Sequence, residues 1–109
     1  MYVKGVVETS LAHPNENAER FDSIVRAMSE LYAAKNADYG GSFSKSFERF
    51  GLTSAIVRIG DKYERLCSLL SNERRVASES IRDTLIDMAN YAVMTVMELD
   101  KRSGDGIRD

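Results

Sequence analysis

Residues 79–99, ESIRDTLIDMANYAVMTVMEL, decide how this chain folds. Ile81, Leu85, Met88, Ala92, Val96 and Leu99 recur at spacings of three and four, so on a helix they share one face. At roughly 100° per residue, Asp83, Asp87 and Asn90 fall on the opposite side. Ile86, Val93, Met94 and Met97 flank and extend that polar stripe. The C-terminal half of the helix is therefore apolar nearly all round, the pattern of a helix buried on several sides. Two carboxylates pointing into such surroundings need a cation, either a metal ion or a basic side chain.

The rest of the chain reads outward from this helix. A second helix is predicted just before it, over about Ser54 to Ser71, with Thr53 as its N-cap. Ile56, Ile59, Tyr63, Leu66 and Leu70 are its inward face. The polar connection Asn72 to Ser78 is short enough to make the two helices antiparallel neighbours, with Ser78 or Ser80 opening the last one. Upstream, Phe43, Phe47 and Phe50 suggest a short helix ending at Gly51. Gly40 and Gly41 break the chain before it, with Asp38-Tyr39-Gly40 as a turn and a positive φ expected at Gly40 or Gly41. A first helix, capped by Asn15 or Asn17, runs to about Ala37 with Phe21, Ile24, Val25, Met28, Leu31 and Tyr32 on its apolar face. Leu11 to Glu16, holding Pro14, is expected to be a loop, and Tyr2 to Val7 a short extended segment. The expected organisation is an N-terminal extended segment over 1–15, an all-α domain over 16–102 and a flexible tail over 103–109. The fold class is all-α: three main helices plus one short helix, a bundle completed by oligomerisation. Three such helices make a thin core, so the surplus apolar surface of the last helix is expected at a homo-oligomer interface.

Composition narrows the function. With 109 residues there is room for one domain and one modest core. A net charge of −2 gives no electrostatic case for direct nucleic-acid binding. One cysteine and one histidine exclude an intrachain disulfide and a Cys-based zinc site, so a metal would be held by oxygen, as Mg²⁺ or Mn²⁺. No apolar run approaches the ~20 residues of a membrane span, and Met1 to Thr9, with one lysine and a short apolar stretch, is not expected to be a signal peptide. The expected location is the cytoplasm, of a host cell if the protein is phage-encoded. His13 reads as a surface-loop residue and Cys67 as a buried thiol.

Three constellations carry chemistry. Asp83 and Asp87, one helical turn apart, can converge on one divalent cation, with Asn90 adding a carbonyl or binding a ligand; the alternative is a pair of salt bridges to a neighbouring helix. Arg58, Asp61, Lys62 and Arg65 form a stripe on the preceding helix. Its bases can clamp phosphate oxygens, and Asp61 with Glu64 can donate metal oxygens; the alternative is a solvated face in which the acids neutralise the bases. Lys35 to Phe43 is a two-glycine loop in which Tyr39 and Phe43 can stack on a base and Lys35 can reach a phosphate; the alternative is a plain helix end with an aromatic anchor. The first two stripes suit a nucleoside triphosphate, which travels as its Mg²⁺ complex and needs both acids and bases. The same proximity lets Arg58 or Arg65 pair with Asp83 or Asp87. No P-loop, Rossmann fingerprint or Ser-His-Asp order is present.

Three segments in order resemble one known family. They are Lys35-Asn36-Ala37-Asp38-Tyr39-Gly40 with Ser42-Phe43, Ile59 to Leu66 with Asp61-Lys62 and Arg65-Leu66, and Asp83-Thr84-Leu85-Ile86-Asp87-Met88-Ala89-Asn90-Tyr91-Ala92. Together they look like the first nucleotide modification-associated domain family of phages and bacteria, over about Tyr32 to Asp100. The resemblance implies a role near nucleotide or DNA-base metabolism. More distantly, the arrangement is similar to the all-α NTP pyrophosphohydrolases of the MazG and dimeric dUTPase type, which bind Mg²⁺ between Glu-x-x-Glu and Glu-x-x-Asp helices. Asp61 and Glu64 would stand at the first pair, Asp83 and Asp87 at the second. Asp61 stands where those enzymes have glutamate, and the second pair is spaced by four rather than three. Lys62 and Arg65 add positive charge where the enzymes are acidic. These departures leave a single-metal or metal-free nucleotide site open.

The resulting expectation is a nucleotide-binding all-α domain, extending to a Mg²⁺-dependent pyrophosphohydrolase of (deoxy)nucleoside triphosphates. Glu64, Asp83 and Asp87 are its catalytic candidates, and Asp61, Glu64, Asp83 and Asp87 its metal candidates. Lys35, Asp38, Tyr39, Arg58, Lys62, Arg65 and Asn90 are its substrate-binding candidates. The alternatives are a non-catalytic protein that sequesters a nucleotide or cyclic nucleotide during phage infection, and a structural oligomeric adaptor.

Overall fold

The computed structural model describes residues 12–39, 41–72 and 77–103, and side chains within 15–38, 41–71 and 80–103. Four helices stand among these residues: α1 Ala12–Tyr39, α2 Ser42–Phe50, α3 Leu52–Asn72 and α4 Ala77–Ser103. The expected all-α class with three long helices and one short one is what the chain adopts. The expected extended segment at Tyr2 to Val7 and the tail beyond Ser103 lie outside the described residues, as does most of the connection between α3 and α4.

Two compact units divide the chain, residues 1–35 and 36–109. The described part of the first is α1 from Ala12. It begins earlier than expected, because Pro14 sits in the first turn, where a missing N–H costs nothing and a fixed φ suits the helix. Neither asparagine marks its start. Along its apolar face Phe21, Ile24 and Val25 are exposed, while Met28, Leu31 and Tyr32 are half-buried.

In the second unit, glycine geometry separates the helices. Asp38 and Tyr39 stay helical, and the break comes at Gly41, whose φ of 75° lies in the left-handed region that a Cβ disfavours. Gly51 ends α2 with φ 76°, and its N–H donates to the Phe47 carbonyl at 2.7 Å. The chain then re-enters a helix at once: Thr53, expected as an N-cap, is already helical. In this first turn the Ser54 N–H and its Oγ both donate to the Gly51 carbonyl, at 3.0 and 2.9 Å.

The core is small and sits where α2 meets α3 and α4. Phe43, Phe47 and Ala55 are buried, with Tyr91 and Met94 of α4 packed against them. Phe43 and Tyr91 stack with ring centroids 5.8 Å apart and planes 16° from parallel. Phe50, grouped with the other two phenylalanines by spacing, is exposed at the end of α2, with the Arg49 guanidinium 5.9 Å from its ring centre.

α3 and α4 are antiparallel. Arg58 reaches Tyr91, Lys62 reaches Asp87 and Arg65 reaches Thr84, so each advance along one helix is a retreat along the other. The contact runs along the polar and aromatic line of each helix, and this corrects the predicted inward faces. Ile56, Tyr63 and Leu70 of α3 are 55%, 57% and 71% exposed, with Ile59 and Leu66 half-buried. On α4, Leu85, Val96 and Leu99 are likewise exposed. The residues that meet α3 and α2 are Thr84, Asp87, Tyr91, Met94 and Glu98, of which Thr84 and Glu98 are buried. Two helices placed side by side must choose one line of contact. Here that line follows the groups that can hydrogen-bond across it. Cys67, expected to be buried, is exposed for the same reason.

Candidate functional site

The basic stripe of α3 is laid against α2 and α4 one residue at a time. Arg58 is at the closed end. Its guanidinium lies 5.3 Å from the centre of the Phe43 ring and 6.0 Å from that of Tyr91, and Nη2 donates to Ser46 Oγ at 3.1 Å. A planar cation over two stacked rings is held by the negative charge of their faces. Arg58 is therefore a pin between α2, α3 and α4 rather than an open phosphate clamp.

One turn on, Lys62 Nζ lies 3.4 Å from Asp87 Oδ2, and the two side chains are 27% and 24% exposed. A partly hydrated pair at this separation is weak, since water screens the attraction and two long side chains must be held in place. Arg65 follows at the open end. Its Nε donates to Thr84 Oγ1 at 3.3 Å, and the Thr84 hydroxyl in turn donates to the Ser80 carbonyl at 2.7 Å. That back-bond points the hydroxyl proton away and turns its lone pairs towards Arg65. The arginine is exposed, and its bond to Thr84 uses Nε alone, so both Nη groups remain for an outside acceptor.

The acidic candidates divide. Asp87 faces Lys62, and Asn90 is half-buried on α4. Asp83 is exposed, as are Asp61 and Glu64 on α3. At roughly 100° per residue, Asp61 and Glu64 lie about 80° and 140° round α3 from the side that meets α4. Among the described residues, no three Asp, Glu, His or Cys side chains gather where they could hold a metal ion. Within the single chain, Asp61, Glu64, Asp83 and Asp87, expected around Mg²⁺, are therefore not gathered at one point. Asp38 is exposed at the end of α1, Lys35 lies on α1 within the first unit, and the side chain of Tyr39 is outside the described residues.

A residue that the spacing argument passed over is Glu98. It is buried on α4, where Ser44 Oγ donates to Oε2 in a short hydrogen bond and Lys101 Nζ reaches the same oxygen at 3.0 Å. Burial pushes its carboxyl pKa up, but the hydrogen bonds from Ser44 and Lys101 and the charges of Lys101 and Arg102 outweigh it and hold the pKa below the usual glutamate value. Arg102 itself covers the Phe47 ring at 4.8 Å. The signal was available: Thr84, Asp87, Tyr91, Met94 and Glu98 recur at three and four, a second face as regular as the apolar one.

The arrangement therefore has a closed polar end around Glu98 and Arg58, and an open one at Lys62, Arg65 and Asp87. The open end can exchange weak internal partners for an anion. A family model described as nucleotide modification associated domain 1 matches residues 35–99. Neither a curated protein nor a solved structure matches the chain.

Proposed function

Because the chain belongs to the nucleotide modification associated domain 1 family, we propose that it binds a nucleotide, with the phosphates held at Lys62 and Arg65. The observation that carries this is the state of those two bases. They stand on successive turns of α3, Lys62 half-buried and Arg65 exposed, and each is oriented by a side chain of α4 that leaves it able to take a stronger acceptor. A guanidinium with two unengaged Nη groups suits bidentate capture of phosphate oxygens, and an adjacent ammonium adds a point charge. Asn90, two turns from Asp83 on the same helix, supplies an amide for base or sugar.

Binding is favoured over hydrolysis, because the carboxylate set does not converge as a Mg²⁺-dependent pyrophosphohydrolase requires. In this proposal the functional unit is a cytoplasmic homo-oligomer engaged in nucleotide or DNA-base metabolism of a phage or bacterium. Calorimetric titration with a panel of (deoxy)nucleoside mono-, di- and triphosphates tests it. At least one should bind the parent, and Arg65→Ala should weaken that binding about tenfold, the loss of one charge-assisted contact. A panel that neither releases heat nor raises the melting temperature at millimolar ligand would sink it. Mg²⁺-dependent release of pyrophosphate would replace binding with hydrolysis.

A further inference from the structure

The unexplained feature of the second unit is the direction of its apolar stripes. On α3, Ile56, Tyr63 and Leu70 lie within about 40° of one another, and roughly 120° round from the line that meets α4. On α4, Leu85, Val96 and Leu99 lie roughly 120° round from the line that meets α3, in the same sense along the chain. The helices are antiparallel, as their cross-contacts require. Equal offsets in the chain's own sense therefore open on the same side of the pair. α3 and α4 present one continuous apolar layer, and all six residues are more than 40% exposed.

We propose that this layer is an isologous interface with a second copy of the chain, so that α3 and α4 of two chains form an antiparallel four-helix bundle. Two measures favour a second copy. The first is area. Six large side chains in this state offer about 600 Å² together, some three quarters of the ~800 Å² per partner of a standard-size interface. The second is charge. Ile56, Tyr63, Leu70, Leu85, Val96 and Leu99 are all uncharged, so the stripe has little to repel its own image. A two-fold axis through the layer places like stripes against each other, which a self-complementary apolar surface permits. The basic row lies on a different side of α3, so the inference stands independently of what that row binds.

Light scattering on the full chain at micromolar concentration should give twice the chain mass. Leu70→Glu and Val96→Glu each place a charge in the layer without removing a buried contact, and each should weaken the dimer at least tenfold with helical content unchanged. A spin label on Cys67, the one cysteine, stands beside Tyr63 and Leu70 on α3 and should show coupling between chains in the otherwise unaltered protein. A strictly monomeric parent overturns the proposal. So does an oligomer indifferent to both glutamates, an absence of coupling between labelled chains, or dissociation by Phe21→Glu alone, which would make α1 the occupant.

Discussion

Arg58 and Arg65 stand on one stripe of one helix, two turns apart, and the fold uses them differently. Arg58 is enclosed by Phe43, Tyr91 and Ser46, every one supplied by another helix. Arg65 touches the hydroxyl of Thr84 and is otherwise exposed. What separates them is α2. It covers the end of the α3–α4 pair that holds Arg58 and Glu98, and there polar groups have fixed partners and a buried aromatic knot. Away from α2 the same polar line is more open, and its Lys62–Asp87 contact is partly hydrated. Identical residue types spaced evenly along a helix thus become scaffold at one end and candidate binding groups at the other.

The contrast can be broken first at the closed end. Phe47 is 3% exposed and lies under Arg102, so Phe47→Ala should cost about 3 kcal/mol, read as the shift in a urea unfolding midpoint. In so small a core, that is a large part of the total. A change below half of that would mean the closed end is not the seat of stability.

Glu98 sharpens the comparison through pH. Its carboxyl pKa is lowered in the folded state, so its contribution is fully present above the unfolded value of about 4.3 and is lost as pH falls through the lower folded value. Glu98→Gln should cost about 2 kcal/mol near neutral pH and flatten the acid limb of the stability profile. An unchanged acid limb would show that the carboxylate is not held charged by Ser44 and Lys101.

The smallest effect belongs at the open end. The Lys62–Asp87 pair is partly hydrated, so Lys62→Met should change stability by less than about 1 kcal/mol in thermal unfolding. If Lys62 serves phosphate, the same variant should weaken nucleotide binding, because the ammonium has gone. A loss of several kcal/mol would place Lys62 with Arg58 among the scaffold groups.

Much of the candidate site was legible as residue types in spacing. Arg58, Lys62 and Arg65 are a stripe in any helical reading, and so are Asp83, Asp87 and Asn90. The antiparallel pairing followed from the short connection between the two helices. What spacing could not supply is the rotation of α3 and α4 about their own axes. Each helix has an apolar stripe and a polar one, and either can meet a neighbour. The hydrophobic rule selects the apolar stripe, and in the single chain that selection fails at Ile56, Tyr63, Leu70, Leu85, Val96 and Leu99.

The sequence by itself determined the helices, because propensity, apolar periodicity and the glycine breaks act over a few residues and need no partner. It also determined the short aromatic helix and the ending of that helix at Gly51, where a positive φ favours glycine. Only the tertiary structure decided which faces meet. That choice depends on whether Arg58 finds two rings, Glu98 a serine and a lysine, and Arg65 a hydroxyl, all at once and from different helices. Such matches are long-range and collective, so they leave no mark in local spacing, and they turned the polar line inward and the apolar layer out.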